Sequence, residues 1–172
     1  SKLINEKKTS KRIKSLTNKR NNKVNDYLHK ASRLITNYLV SNNINTLVIG
    51  KNKEWKQDVN IGKKNNQNFV QIPHSRLIDM ISYKCKIEGI FVIITEESYT
   101  SKCSFLDDEG IKKQKSYKGK RIKRGLFKSS KGILINSDVN GSLNILKKVV
   151  GKFNYNPIEV CSTPAVITVK LN

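Results

Sequence analysis

At 172 residues the chain has room for one ordinary domain, and its 37% hydrophobic content requires packed regions to alternate with solvated ones. Its 34 Lys and Arg against 13 Asp and Glu give a net charge of +21, which points to a phosphate-bearing partner because each neutralised phosphate releases condensed counterions. Cys85, Cys103 and Cys161 are odd in number and lack CxxC spacing, which excludes a disulfide framework or zinc site and makes a reducing cytoplasm the expected compartment. No apolar run approaches the ~20 residues of a membrane span and no signal peptide is visible, so no membrane partner is expected. An A/T-rich genome would account for much of the Lys and Asn total, but not for its clustering.

Residues 10–41 predict one long helix, with apolar residues from Ile13 to Leu39 mostly three and four apart and Ser10 as its cap. The first half is strongly basic, so the packed part is expected to begin near Val24, and Asn42-Asn43 ends the helix. Thr46-Leu47-Val48-Ile49 reads as an apolar strand broken by Gly50, of the kind covered on both faces. The polar stretch from Lys51 to Gln71 is a loop. Pro73 introduces a helix over about 74–88 with Leu77, Ile78, Ile81 and Cys85 facing inward, and Ile90–Thr95 is a second buried strand. A right-handed βαβ unit of this order places both strand ends on one edge of the sheet.

Between Gly110 and Gly132 stand ten Lys and Arg and no Asp or Glu. This arm reads as loop plus a short hairpin broken at Gly119, Gly125 and Gly132, followed by a brief strand at Ile133-Leu134-Ile135. Val139, Leu143, Leu146, Val149 and Val150 define a helix over about 138–150, closed by Gly151. The organisation expected is a basic long helix over 1–41, a core over 42–151 carrying the arm at 110–132, and a tail over 152–172 of no evident role.

Glu96-Glu97 follows the second strand and Asp138 sits at the start of the last helix, where the helix dipole favours its charge. Carboxylates at the ends of buried elements are suitable mounts for divalent cations, which metal nucleases use to stabilise attacking and leaving oxygens. The plainer readings are a helix cap for Asp138 and a solvated loop for the glutamates. Trp55 either stacks on a base or anchors its loop. Lys102 is a candidate phosphate contact, and Lys120, Arg121, Lys123 and Arg124 are the strongest nucleic-acid contacts in the arm. His29 reads as a helix-surface residue and His74 as a helix-start residue.

Three segments resemble the C-terminal part of OrfB/TnpB proteins, the transposon-encoded relatives of RuvC-like nucleases. They are Asp26-Tyr-Leu-His-Lys-Ala-Ser32, Glu96-Glu-Ser-Tyr-Thr-Ser-Lys102, and Lys120-Arg-Ile-Lys-Arg-Gly125 running on to Ile135-Asn-Ser-Asp-Val-Asn-Gly-Ser-Leu-Asn-Ile145. Gly50-Lys-Asn-Lys-Glu-Trp-Lys-Gln57 and Gln67-Asn-Phe-Val-Gln-Ile-Pro73 also look like this family, and the last of the three segments is the most specific. The resemblance implies an α/β, partial RNase H-like (RuvC-like) domain with a DED-type catalytic set. Asp138 takes the place of its last aspartate. The family's usual glutamate follows the first of the two strands, where this chain has Gly50-Lys51-Asn52, so Glu96 or Glu97 is expected to serve from the neighbouring strand, with Glu96 slightly preferred. The family's first aspartate lies on a strand before the long helix, and the chain, opening on Ser1, reads as a piece of something longer. The basic arm stands where common members carry a zinc ribbon, so no zinc is expected.

The resemblance thus implies part of an RNA-guided, transposon-associated DNA endonuclease using Mg²⁺ or Mn²⁺, with DNA and a guide RNA as partners. With one carboxylate of three missing, little cleavage is expected from the chain alone. The alternative is a catalytically inactive nucleic-acid-binding remnant, and a weaker one is an unrelated basic ribosome-associated protein.

Overall fold

The computed structural model describes residues 10–52, 73–162, 164 and 169. The α/β fold expected from the sequence is the one observed, with parallel strands, a crossover helix and a separate antiparallel sheet. Trp55 and most of the loop between Lys51 and Gln71 lie outside the described residues.

Helix α1 spans Lys11–Ser41, and Ser10 caps it by accepting from the Ile13 N–H at 3.3 Å. Residues 11–23 are solvent-exposed, and packing begins at Val24. The buried face is Leu28, Ser32, Thr36 and Leu39. Two of these four are hydroxyl residues that donate back to carbonyls one turn earlier, Ser32 to Leu28 at 2.7 Å and Thr36 to Ser32 at 2.9 Å. Satisfied in this way, small polar side chains let α2 (His74–Ile87) approach closely, and Thr36 Oγ1 lies 3.9 Å from the Cys85 Sγ.

Strand β1 (Thr46–Gly50) pairs in parallel with β2 (Phe91–Thr95), from Thr46 opposite Phe91 to Gly50 opposite Thr95. One face is covered: Leu39, Ile81, Cys85 and Ile90 are buried there, with Leu47, Ile49, Leu77 and Val92 packed against them. The other face differs from the expectation of strands buried on both sides. Phe91 is 72% exposed and Ile93 38% exposed among the described residues. An apolar run fixes the strand, but not how many of its faces find partners.

The basic arm folds into an antiparallel sheet of β3 (Lys120–Lys123), β4 (Leu126–Lys128) and β5 (Leu134–Asn136). Gly125, with φ of +76°, makes the β3–β4 turn in a backbone region most side chains avoid. Phe127 and Ile135 are the buried apolar residues of this sheet. The tail has a role that its sequence did not reveal: Phe153 and Tyr155 pack on the Phe105 ring at centroid separations of 5.6 and 5.0 Å. A short helix, α4 (Pro157–Cys161), follows.

Helix α3 spans Ser137–Val150, and its buried side is not the aliphatic one expected. Ser137, Asn140 and Asn144 are buried, whereas Val150 is 51% exposed. The reason is hydrogen-bond demand. Asn140 donates to the Cys103 carbonyl at 2.9 Å and accepts from the Phe105 N–H at 3.0 Å, and Asn144 donates to the Thr100 and Cys103 carbonyls at 2.9 and 2.8 Å. An irregular segment over 100–105 leaves buried backbone groups without a ladder, and these amides satisfy them.

Candidate functional site

Because β1 and β2 are parallel, their C-terminal ends bring residues 51–52 and 96–101 together, and the Lys51 N–H donates to the Thr95 carbonyl at 2.8 Å. The start of α3 and the edge of β3 close the remaining sides of an open cleft of about 380 Å³. Asn52, Glu97, Arg121, Ser137 and Asp138 are among its lining residues.

Of the carboxylates singled out in the sequence, Glu97 and Asp138 line this cleft together and Glu96 does not. Glu96 accepts from the Ser98 N–H at 3.1 Å, from the Ser98 hydroxyl, and from the Lys148 ammonium at 3.2 Å. Lys148 also donates to the Glu96 and Ser98 carbonyls, each at 2.9 Å. Glu96 is therefore a peg fixing the β2 end to α3, and the slight preference for it over Glu97 is not what this geometry favours. Sequence spacing alone does not say which of two adjacent side chains turns inward.

Glu97 is held from behind. The Thr100 hydroxyl and N–H donate to its carbonyl at 2.8 and 3.2 Å. Its carboxylate lies against the bare Cα of Gly50, where a Cβ would meet Glu97 Oε2 and Cβ each at 2.9 Å and Ile145 Cδ1 at 2.7 Å. The Glu97 side chain thus fills the space that a side chain at position 50 would otherwise take. Burial raises its pKa, the neighbouring Glu96 charge raises it further, and Lys148 opposes both.

Asp138 is not the cap of α3. Asn136 caps the helix, its Oδ1 accepting from the Asp138 and Val139 N–H groups at 2.8 and 3.3 Å. Asp138 falls in the first turn, exposed, and its carboxylate has no hydrogen-bond or ion-pair partner among the described residues. Asn52 was not singled out by its sequence, yet its Oδ1 is buried at the cleft and unpartnered among the described residues, as is the Ser137 hydroxyl. A buried acceptor without a donor costs about 1–3 kcal/mol, and neither atom finds a partner among the described residues. Two carboxylates and an amide oxygen form a hard donor set that suits Mg²⁺ or Mn²⁺. Among the described residues no group of three or more His, Cys, Asp or Glu is placed to hold a metal.

Arg121 is the arm cation that reaches the cleft. Lys120, Lys123 and Arg124 are exposed along the same hairpin, and Lys102 is exposed on the turn after Thr100. His29 lies exposed on α1, and His74 begins α2.

The family model "Probable transposase" (OrfB_IS605) matches residues 1–56, and "Cas12f1-like, TNB domain" matches residues 74–145. The chain is 36% identical over 95 residues to the TnpB-like protein ORF457 of Acidianus two-tailed virus, a match covering 54% of this chain and 19% of that protein. It therefore spans about a fifth of that relative's length. Its fold is similar to a chain of the cryo-EM structure of the Cas12f1-sgRNA-target DNA complex, with a TM-score of 0.55 and 19% identity, covering 78% of this chain and 36% of that one. No described helix is long and apolar enough to cross a membrane.

Proposed function

Since the chain belongs to the OrfB/TnpB family of transposase-associated nuclease proteins, we propose that its cleft is the part of a metal-dependent DNA endonuclease site that holds the divalent cation and the scissile phosphate. The observation that carries this reading is the convergence of Glu97 and Asp138, from two separate elements, on one cleft beside the unpartnered Asn52 oxygen. Glu97, Asp138 and Asn52 would hold Mg²⁺ or Mn²⁺. When bound, such an ion supplies an activated water and stabilises the charge on the departing oxygen. Arg121, at the same cleft, orients the phosphodiester by charge-assisted hydrogen bonds. The remaining arm cations hold the strand through its backbone, independent of sequence. The nucleic acids named in the Cas12f1 complex suggest a DNA target and a guide RNA as partners here.

A second reading, a nucleic-acid-binding protein without cleavage, is favoured by the presence of only two cleft carboxylates among the described residues. Incubating the chain with single-stranded DNA and Mn²⁺, with Asp138→Ala as control, separates the two. Cleavage abolished by the substitution supports the nuclease, and salt-sensitive binding without cleavage supports the second reading.

A further inference from the structure

A groove of about 530 Å³ runs between α1 and α2, lined by His29, Lys30, Arg33, Tyr83 and Lys84 among others. Helix α2 returns from the cleft edge of the sheet to the edge where β2 begins, so residues 83–84, near its end at Ile87, lie away from the cleft. Lys84 is 4% exposed, an unusual state for a lysine. Its ammonium donates to the His29 carbonyl at 2.7 Å and the Ser32 hydroxyl at 2.6 Å. An ammonium carries three donors; the third finds no hydrogen-bond acceptor among the described residues, and the nitrogen lies 5.9 Å from the centroid of the Tyr83 ring, a weak cation–π contact that does not neutralise its charge. No carboxylate pairs with it there either. Asp26 is engaged by Lys30 at 2.9 Å and Glu88 by Arg33 at 3.2 Å, both on the exposed rim. Burial holds the Lys84 pKa below its ordinary value, and the Arg33 charge lowers it further.

A buried cation without a counterion is costly, and one set in a groove with two more cations on its rim is a site waiting for an anion. The rim ion pairs are solvent-exposed and therefore weak enough to be exchanged for a phosphate. Tyr83, 45% exposed, presents a ring at the same groove. We propose that the α1–α2 groove binds the sugar-phosphate backbone of a nucleic-acid strand, with one phosphate on Lys84 and Arg33 and an adjacent base stacked on Tyr83. This second anchor lies apart from the cleft, and it rests on the reading of nucleic acid as partner but not on cleavage.

The test measures binding of a labelled single-stranded DNA, and of RNA of the same sequence, to the full chain across a range of NaCl concentrations. Lys84→Met is expected to weaken binding about tenfold and to lower the salt slope by about 0.7, one phosphate contact on a single strand. Tyr83→Leu is expected to cost about fivefold or more, the worth of one stacked base. The better-bound of the two strands identifies the natural occupant. Should Lys84→Met fail to fold by circular dichroism, Tyr83→Leu and Arg33→Gln, both at exposed positions, decide the matter. Folded variants that bind with wild-type affinity and salt slope would overturn the groove alone, leaving Asp138-dependent cleavage untouched. Groove-dependent binding by a chain whose Mn²⁺ affinity is unchanged by Asp138→Ala would overturn the reading of the cleft as a metal site alone.

Discussion

Replacing Gly50 with alanine tests whether Glu97 stands in the space of a missing side chain. The added Cβ would lie 2.7 Å from Ile145 Cδ1 and 2.9 Å from both Glu97 Cβ and Oε2, closer than real Cβ atoms approach. The Ile145 methyl is a flexible end and can move, but the Glu97 Cβ is tied to a backbone fixed by two bonds from Thr100. Overpacking of this kind costs about 1–3 kcal/mol, while replacing glycine within a regular element recovers about 0.5–1 kcal/mol of chain entropy. The net is a loss of up to about 2.5 kcal/mol, or a fall in Tm of up to about 10 °C for a chain of this size. The sharper consequence is local, since the carboxylate must swing out of the cleft. Calorimetric titration with Mn²⁺ should show affinity falling about 10–100-fold, the usual penalty for disturbing the support of a metal ligand. Gly50→Glu combined with Glu97→Ala should recover much of that affinity, because the longer side chain then enters the vacated space, whereas Gly50→Glu alone should not. An alanine variant as stable as the parent with unchanged Mn²⁺ affinity would refute the reasoning.

Further expectations concern the packing of the arm lobe and the charge of Glu97. Phe127, 1% exposed at the centre of the arm lobe, should cost about 3–5 kcal/mol on truncation to alanine in urea unfolding. Gly119→Ala places a Cβ 2.7 Å from Phe127 Cζ and 2.9 Å from the Lys128 carbonyl and should cost about 1–3 kcal/mol. Because the two share a contact, the double variant should lose less than the sum, and strict additivity would show that they do not touch. Glu97 has a raised pKa, so the folded chain holds its proton more tightly than the unfolded one and loses stability as pH rises from 4.5 through the raised value. A bound cation reverses that loss by requiring the ionised form, and its binding releases protons. The Tm increment given by Mn²⁺ should therefore grow with pH across that interval, and Glu96→Gln should shift the growth to lower pH. A flat increment would mean that Glu97 does not bind the ion.

The backbone plan was legible from apolar spacing because periodicity reports which side of an element is dry. The packed half of α1 begins at Val24 as the charge pattern implied, and the β1–α2–β2 order put both strand ends on one edge. What spacing cannot carry is hydrogen-bond demand. Helix α3 buries Asn140 and Asn144 rather than its valines, since those amides hold the irregular 100–105 segment. The same limit hid Asn52, whose importance lies in an oxygen without a partner among the described residues. Between Glu96 and Glu97 the sequence held one usable signal, a glycine rather than a side chain at position 50, directly across the register from Thr95. A gap on one strand is filled from the next, and the residue that fills it is the one whose Cβ faces the gap.

The acid-free arm poses a related question of charge, because a lobe carrying ten like charges in 23 residues repels itself. Its fold is held by three consecutive acids just ahead of it. Glu109 accepts from the Ser104 and Lys118 N–H groups at 2.8 and 3.0 Å, tying the loop across its base. Asp107 accepts from the Ser130 N–H at 2.8 Å, bridging to the turn after β4. Asp108 pairs with Lys147 of α3 and with Lys152 beyond it. Each acid reaches a different segment, so the lobe is pinned at its base and along its far turn, while β3 is left out of the neutralisation and stays exposed along its length. A lobe whose sheet buries only Phe127 and Ile135 among its apolar residues needs such staples to keep one shape. Where the acids are spent decides where the cations remain available, and among those left over Lys120, Arg121, Lys123 and Arg124 lie along the β3 strand and its turn, with Arg121 lining the cleft that Glu97 and Asp138 also line.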